Sequence, residues 1–119
     1  MAKVLLIDDE AIIRRIVRVV LEAEGHTVLE ASDASEGIEV LQANRPDVVV
    51  LDLMMPGEYG TDVCRKIKAL DQRTKVIVLT SLPAADAKDL ADEAGADDYM
   101  EKPFSSLDLL ERLARLEPM

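Results

Sequence analysis

The chain has 119 residues, 49% of them hydrophobic, which is enough for one domain with one core and too few for two domains of ordinary size. Its 24 acidic residues outnumber 14 lysines and arginines, and the formal net charge of −10 argues against direct binding of nucleic acid. No apolar run reaches the length of a signal peptide or a membrane span, so we expect a cytoplasmic protein with no membrane partner. The single cysteine, Cys64, excludes an internal disulfide and is expected to be a buried apolar residue.

Short apolar runs of strand length recur along the chain. They predict strands at 4–7, 28–31, 48–51 and 76–79, followed by a weaker fifth strand at Asp98–Glu101. The runs are rich in Val, Ile and Leu and lack the strict alternation of a half-exposed strand. We therefore expect a parallel sheet that is covered on both faces.

Segments with helical spacing follow each predicted strand, and their apolar stripes are expected to pack on the sheet. The stripes are Ile13, Ile16, Val17 and Val20; Ala34, Ile38 and Leu41; Val63, Ile67 and Leu70; Ala87, Leu90, Ala91 and Ala94; and Leu107, Leu110, Leu113 and Ala114. Gly25 and Gly95 lie near predicted helix ends, Asp33 or Ser35 suits a helix start, and the S-x-x-D pattern at 105–108 opens the last helix. Five strand–helix units predict an α/β fold, a flavodoxin-like doubly wound sheet of order 2-1-3-4-5 with five helices, as a single domain over residues 1–119.

Three carboxylates terminate two of the predicted strands. Asp8 and Asp9 end the segment VLLIDDE, and Asp52 ends VVVLD. In doubly wound sheets, ligands bind beyond the carboxyl ends of the strands where the strand order reverses, commonly between the first and third strands. We expect the three carboxylates to share one crevice, where a cation would relieve their repulsion, and all-oxygen ligands of this kind suit Mg²⁺.

Two further side chains are predicted at the same edge. The fourth strand ends in VIVLTS and the fifth in DYMEKPF, which delivers Thr80 and Lys102 to the crevice. A hydroxyl and an ammonium suit the oxygens of a phosphoryl group, and an aspartate carboxylate can itself be the nucleophile that forms an acyl phosphate.

These motifs stand in one order: the acidic pair of LLIDDE, then DLMMPGEYG, the Thr of VIVLTS and the Lys-Pro of GADDYMEKPF. With them the chain resembles a response-regulator receiver domain of two-component signalling, of the CheY-like superfamily, over essentially its whole length. The resemblance implies that Asp52 accepts the phosphoryl group. It also implies that Asp9 and Asp52 bind Mg²⁺ together with the backbone carbonyl of Met54, while Asp8 acts partly through water.

The same resemblance implies a switch. Thr80 and Lys102 would contact phosphate oxygens, and the peptide bond between Lys102 and Pro103 would be cis. Thr80 would move toward the phosphate while Tyr99 turns inward, which would reshape the surface of the fourth helix, fifth strand and fifth helix; plain packing is the alternative for Tyr99. The chain would be enzymatic only in catalysing its own phosphorylation and dephosphorylation.

The implied partners are a sensor histidine kinase or phosphotransfer protein and a downstream effector that the sequence does not identify. Arg14 and Arg18 on the first helix are interpreted as a solvated face or, alternatively, as part of the kinase-docking surface. Another set of charges is either scattered surface charge or the face of a phosphorylation-promoted homodimer: Lys88, Asp97, Asp98, Glu111, Arg112 and Arg115. The chain is interpreted as a stand-alone receiver or an isolated part of a longer regulator.

The resemblance also implies that two positions, the second residue after the acceptor Asp and the second after the Thr, shape the lifetime of the phosphorylated state. Met54 and Leu82 lie two residues after Asp52 and Thr80, and neither side chain can orient an attacking water, so we predict a comparatively long-lived phosphoaspartate. Tyr59 departs from the small or polar residue usual before the loop glycine in the resembled family, which suggests a docking feature.

Two other classes of function compete with the switch. A flavodoxin-like module that holds a flavin or other cofactor would use Gly-rich loops or helix N-terminal amides, whereas the strand-end loops here carry carboxylates. A phosphohydrolase with an Asp nucleophile would often carry a second acid two residues further on, and Met54 occupies that position.

Overall fold

The computed structural model describes residues 1–57 and 59–117. Strands and helices alternate along the chain: β1 (Lys3–Ile7), α1 (Ala11–Ala23), β2 (Thr27–Ala31), α2 (Ala34–Asn44), β3 (Val48–Asp52), α3 (Gly60–Leu70), β4 (Lys75–Thr80), α4 (Ala84–Ala94), β5 (Asp98–Glu101) and α5 (Ser106–Leu116). All five predicted strand–helix units are present. β1, β2 and β4 begin one residue earlier than predicted, and β3 and β4 end one residue later, because the parallel ladder extends past the apolar run.

The strands form one parallel sheet in the order β2-β1-β3-β4-β5, as predicted. The order reverses between β1 and β3, whose last residues Ile7 and Leu51 are paired in register. Asp52 pairs with Leu79, and Thr80 pairs with Glu101. The carboxyl ends of β1, β3, β4 and β5 therefore lie side by side at one edge, where the predicted site residues leave the sheet.

Helices cover both faces of the sheet and divide the core into two clusters. The side chains of α2, α3 and α4 pack on one face, and those of α1 and α5 pack on the other. All five residues of β3 are buried, because this central strand lies between the two layers. The continuous apolar runs of the strands follow from this double coverage.

The predicted helix stripes are partly wrong. Ile16 is 52% exposed, and Leu70, Leu107 and Ala114 are also exposed. On α1 the buried pair is Val17 and Leu21, and on α5 the pair Leu109 and Leu113 faces the sheet. Val17 and Leu113 are buried as predicted, whereas Leu21 and Leu109 were not predicted. Each pair is spaced by four residues, so docking on the sheet buries a face that is rotated from the predicted stripe.

The predicted helix ends are confirmed by the capping contacts. The side chain of Asp33 accepts a hydrogen bond from the backbone N–H of Glu36 at 2.8 Å, and that of Ser105 accepts one from Asp108 at 3.0 Å. Gly95 ends α4 with a φ of 78°, a left-handed conformation that glycine adopts without steric cost. These contacts fix where α2 and α5 begin and where α4 ends.

The structure bears on the predicted burial of Cys64 and on the expected lack of a membrane-spanning segment. Cys64 is fully buried on α3, as expected, and burial raises the pKa of its thiol to about 11. In the part of the chain that the structure describes, no helix has the length and apolar character needed to cross a membrane.

Candidate functional site

The carboxylates predicted at the sheet edge come together. Asp52 is the last residue of β3 and only 2% exposed, and Asp8 is buried directly after β1. Asp9 and Glu10 follow in the exposed turn before α1. One carboxylate oxygen from each of these four residues lies within 4.8 Å of the others. Asp8, Asp9 and Asp52 are the predicted members of this cluster, and Glu10 is a member without a predicted role, although the run of three acids in LLIDDE carries it.

Lys102 supplies the positive charge inside this cluster. Its Nζ lies 3.0 Å from Oδ2 of Asp52, 3.3 Å from Oδ2 of Asp8 and 3.5 Å from Oε1 of Glu10. The backbone N–H of Lys102 donates to the carbonyl oxygen of Thr80 at 2.7 Å, and the peptide bond to Pro103 is cis. The end of β5 thus directs the ammonium across β4 to the ends of β3 and β1.

Backbone amides orient the two buried carboxylates. The N–H of Met54 donates to Oδ1 of Asp52 at 2.8 Å, and the N–H of Glu10 donates to Oδ1 of Asp8 at 2.9 Å. Each is a side-chain bond to the backbone two residues on, which is the Asx-turn geometry. With Oδ1 held in this way, Oδ2 of both residues is directed toward Lys102.

Burial and mutual repulsion govern the charges of the cluster. Burial raises the pKa of Asp8 and the charge of Asp52 adds to the rise, although the N–H of Glu10 and the ammonium of Lys102 oppose it. Burial acts to lower the pKa of Lys102, but its hydrogen bond with Asp52 and the charges of both aspartates outweigh this effect and raise the pKa. Lys102 is therefore an ammonium at neutral pH, one monovalent cation among four carboxylates.

This donor set fits a hard divalent cation. Carboxylate oxygens are the ligands that Mg²⁺ and Ca²⁺ prefer, and the four oxygens are close enough to share one ion. A cavity of about 220 Å³ borders the cluster and is lined by Asp9, Asp33, Met55 and Gly57 among others. The site therefore combines a negatively charged cluster, which can hold a metal, with an approach from solvent.

Thr80 lies at the same edge, as expected. It is the last residue of β4 and fully buried, and its Oγ1 accepts a hydrogen bond from the N–H of Leu82 at 3.2 Å. It follows Leu79, the register partner of Asp52. Thr80 thus lies near the end of β3, and its contact with a phosphate stays a prediction.

Tyr99 is half-buried on β5 and held by a residue of α5. Nη1 of Arg112 donates to the carbonyl oxygen of Tyr99 at 2.7 Å, and the guanidinium lies 6.0 Å from the centroid of its ring. Arg112 also binds Asp98 at 2.5 Å and Asp108 at 3.2 Å. Arg112, predicted as a scattered surface charge or part of a dimer face, thus lies in an intramolecular network around Tyr99.

The solvated-face interpretation is wrong for Arg14. Its side chain is 16% exposed, and that of Arg18 is 41% exposed. Both guanidinium groups bind Glu30 on β2. These long side chains lie across the surface of the sheet, which the i, i+4 spacing alone does not reveal. Tyr59 is exposed, which leaves its interpretation as a docking feature open.

Comparison with protein families gives a match over nearly the whole chain. The model of the response regulator receiver domain matches residues 4–114. The response regulator MprA of Mycobacterium ulcerans is 37% identical over 114 residues, which are 96% of this chain and 49% of that protein. MprA of Mycobacterium leprae is 36% identical over 96% of this chain and 50% of its own length. The chain thus spans about half the length of these curated relatives.

Solved structures agree with the sequence comparison. The chemotaxis protein CheY4 of Vibrio cholerae superposes with a TM-score of 0.90 and 32% identity, covering 98% of both chains. A response regulator receiver domain protein of Clostridium thermocellum gives a TM-score of 0.89 and 36% identity, covering 98% of this chain and 94% of its own. The likeness therefore extends to the full sheet and all five helices.

Proposed function

This chain belongs to the family of response regulator receiver domains, and we propose that Asp52 is its phosphoacceptor in a Mg²⁺-dependent reaction. One observation carries the proposal. The carboxylate of Asp52 is nearly buried at the end of β3, with the ammonium of Lys102 3.0 Å away and the acidic side chains of Asp8 and Asp9 beside it. A carboxylate in such a place is maintained at a cost in free energy, which a nucleophilic role explains.

In the proposed reaction an oxygen of Asp52 attacks the phosphorus of a phosphorylated histidine or of a small donor such as acetyl phosphate. The new P–O bond forms an acyl phosphate as the bond from phosphorus to the leaving nitrogen or oxygen breaks, and the leaving group keeps the electron pair. The bond from the Met54 N–H fixes the carboxylate during the attack. The ammonium of Lys102 then pairs with the phosphoryl oxygens in place of the Asp52 oxygen that it now contacts.

Asp9, Asp52 and the backbone carbonyl of Met54 would hold Mg²⁺, with Asp8 acting partly through water. The ion would neutralise the charge of the incoming phosphoryl oxygens beside the carboxylates. The chain itself supplies carboxylate oxygens that are oriented before the ion binds. Backbone N–H groups already fix Oδ1 of Asp8 and Oδ1 of Asp52. By this account the protein catalyses only its own phosphorylation and dephosphorylation.

The proposed response starts at Thr80 and reaches Tyr99. The hydroxyl of Thr80, whose oxygen now accepts a bond from the Leu82 N–H, moves to donate its hydrogen to a phosphate oxygen, and the half-buried ring of Tyr99 turns inward. A tenfold change in population needs only about 1.4 kcal/mol of differential stabilisation, which one hydrogen bond to a charged group can provide. The result is a changed surface on α4, β5 and α5.

A sensor histidine kinase or phosphotransfer protein is the proposed donor, and α1 is where it docks. Ile12, Ile16 and Val19 are exposed on one side of α1, at the spacing of an apolar helical stripe. A neighbouring cavity of about 340 Å³ is lined by Ile13, Ile16, Phe104 and Lys102 among others. The docking surface therefore adjoins the residue that contacts Asp52.

The α4–β5–α5 surface is proposed to act on a downstream effector or on a second copy of the chain. Arg112 is paired within the chain, and Lys88 pairs with Asp92, so we assign a symmetric contact to the exposed charges of Glu111 and Arg115. Sedimentation with and without beryllofluoride is expected to show a dimer only with the phosphoryl mimic. A monomer in both conditions would remove the homodimer from the proposal and leave a separate effector.

Intact mass after incubation with acetyl phosphate tests the proposed chemistry. We expect a single phosphoryl adduct on the wild type with Mg²⁺, none with EDTA, and none on Asp52→Asn. Asp89→Asn, an exposed aspartate on α4, serves as the matched control and should behave as the wild type. An adduct that forms equally well with EDTA would contradict the metal requirement.

The same preparation separates the two competing functions. A bound flavin would give visible absorbance, and a phosphohydrolase would turn over a phosphate monoester repeatedly, whereas a receiver would do neither. The site favours the receiver over a cofactor-binding module because its strand-end loops carry carboxylates, whereas a cofactor phosphate would use Gly-rich loops or helix N-terminal amides.

A further inference from the structure

We propose that Arg14 is a positioning residue for the metal-binding carboxylates, holding the turn between β1 and α1 in the shape that directs Asp9 and Glu10 toward Asp52. The inference rests on the proposed function, because the cation concerned is the one assigned above to this cluster. Arg14 takes no part in the proposed phosphoryl transfer itself.

The guanidinium of Arg14 connects the turn to the neighbouring strand. Nη1 donates to the backbone carbonyl oxygen of Asp8 at 2.6 Å, and Nε donates to Oε1 of Glu30 on β2 at 3.0 Å. The carbonyl of Asp8 belongs to the peptide bond that leads into Asp9. Fixing this carbonyl therefore fixes the direction in which Asp9 leaves the strand.

The other contacts of the turn hold its carboxylates, through the Glu10 N–H and the ammonium of Lys102, whereas Arg14 holds the backbone carbonyl of Asp8. The N–H of Asp8 donates to the carbonyl oxygen of Ala31 at 3.1 Å, which ends the regular pairing of β1 with β2. Glu10 occupies the N-cap of α1 without a side-chain capping bond. Between these points lie Asp8, Asp9 and Glu10, whose negative charges repel each other and that of Asp52.

Glu30 anchors the guanidinium. It lies on β2 and receives Arg14 on Oε1 and Arg18 on Oε2. Burial acts against its charged form, but the hydrogen bonds from Arg18 and Arg14 prevail and lower the pKa of Glu30. Glu30 therefore remains an acceptor for Arg14 at neutral pH, and the planar fork of arginine can reach both the carboxylate and the Asp8 carbonyl.

Arg18 provides a matched control within the same network. It binds Glu30 at 2.5 Å, and it also contacts Glu22 and the carbonyl oxygen of Val28. None of its hydrogen bonds involves the β1–α1 turn. A general loss of the Glu30 network would therefore affect both arginine variants, whereas loss of the Asp8 contact would affect only one.

The test compares Arg14→Gln and Arg18→Gln by Mg²⁺ titration calorimetry, with melting temperature as a separate readout of stability. We expect Arg14→Gln to weaken Mg²⁺ binding by about tenfold, the lower end of what residues supporting metal ligands contribute. Arg18→Gln should keep the wild-type Kd even if its melting temperature falls. Arg14→Lys, which can reach the Asp8 carbonyl or Glu30 but not both, should lie between Arg14→Gln and the wild type.

The outcomes separate this inference from the proposed function. A wild type that binds Mg²⁺ while Arg14→Gln binds it equally well overturns the positioning role alone. A wild type without Mg²⁺ binding overturns both. If Arg14→Gln does not fold, Arg14→Lys decides, and a Kd equal to that of the wild type counts against the role.

Discussion

The ammonium nitrogen of Lys102 lies 3.0 Å from Oδ2 of Asp52, so the proposed nucleophile is paired with the proposed phosphate-binding cation. The same nitrogen contacts Asp8 and Glu10. Lys102 therefore has two effects before any ligand arrives. It reduces the repulsion among the carboxylates, and under the proposed function it would compete with Mg²⁺ for their oxygens.

Replacing Lys102 by glutamine should separate these two effects. Without Mg²⁺, the variant should lose on the order of 2 kcal/mol in free energy of unfolding, because the carboxylates of Asp52 and Asp8 lose their paired cation. Its affinity for Mg²⁺ should rise severalfold, since the competing charge is gone. Chemical denaturation in EDTA and Mg²⁺ titration measure the two quantities. Lys88→Gln, on an exposed lysine of α4, should change neither, and an unchanged or weaker Mg²⁺ affinity in Lys102→Gln would contradict the competition.

Replacing Asp8 by asparagine should stabilise the metal-free protein. Burial raises the pKa of Asp8 in the folded state above its ordinary 3.8, so the folded protein binds this proton more tightly than the unfolded chain does. The associated stability is present below pH 3.8 and is lost as the pH rises through the folded pKa. At neutral pH in EDTA we expect Asp8→Asn to melt a few degrees higher than the wild type. The gain should be smaller near pH 4, and added Mg²⁺ should stabilise this variant less.

Asp89→Asn is the control for that measurement, because Asp89 is exposed on α4. A lower melting temperature for Asp8→Asn at neutral pH would show that the bond from the Glu10 N–H and the pairing with Lys102 outweigh burial. That result would reverse the assigned direction of the pKa shift.

Met54 should control the lifetime of the acyl phosphate. Its backbone N–H binds Asp52 while its side chain is exposed, so a substitution changes the chemistry near the acceptor without disturbing the core. We expect Met54→Asn to hydrolyse the phosphoryl group about tenfold faster than the wild type, because an amide can orient a water that a thioether cannot. Met54→Leu should retain the long lifetime. Decay of the intact-mass adduct after removal of the donor gives the rates, and equal rates in all three proteins would contradict the prediction.

Arg112 should contribute more to stability than its neighbour Arg115. Arg112 binds Asp98, Asp108 and the carbonyl oxygen of Tyr99, whereas Arg115 is exposed near the end of α5. We expect Arg112→Ala to lower the free energy of unfolding by about 1–2 kcal/mol, since it leaves a half-buried carboxylate and carbonyl without their charged donor. Arg115→Ala should remain within about 0.5 kcal/mol of the wild type. Urea denaturation of the two variants compares them, and equal losses would show that the network around Tyr99 contributes little.

The fold and the central residues of the site could be predicted because both depend on strand ends. An apolar run that stops at Asp8 or Asp52 defines where a buried strand leaves the sheet, and parallel topology brings those ends together. Side chains that reach across from other elements could not be predicted. Arg14 bonds to Glu30, and Arg112 to Tyr99, through long side chains whose conformations depend on tertiary packing.

The helix faces show a second limit of sequence reasoning. Ile16 and Leu107 satisfy helical spacing as well as Leu21 and Leu109 do, yet the first pair is exposed and the second pair is buried. Helical spacing alone does not decide which face of an apolar-rich helix is buried, because neighbouring apolar stripes on such a helix are equally regular. The exposed alternatives on α1 form the apolar surface to which we assign docking of the phosphodonor.

Locating the phosphoryl group by chemical reduction tests the central claim most directly. Borohydride cleaves an acyl phosphate and converts the aspartate that carried it into homoserine, which peptide mass spectrometry identifies by position. After incubation with Mg²⁺ and acetyl phosphate, the account predicts homoserine at position 52 and at no other acidic residue of the cluster. Homoserine at position 8 or 9, with Asp52 intact, would contradict the assignment of the nucleophile.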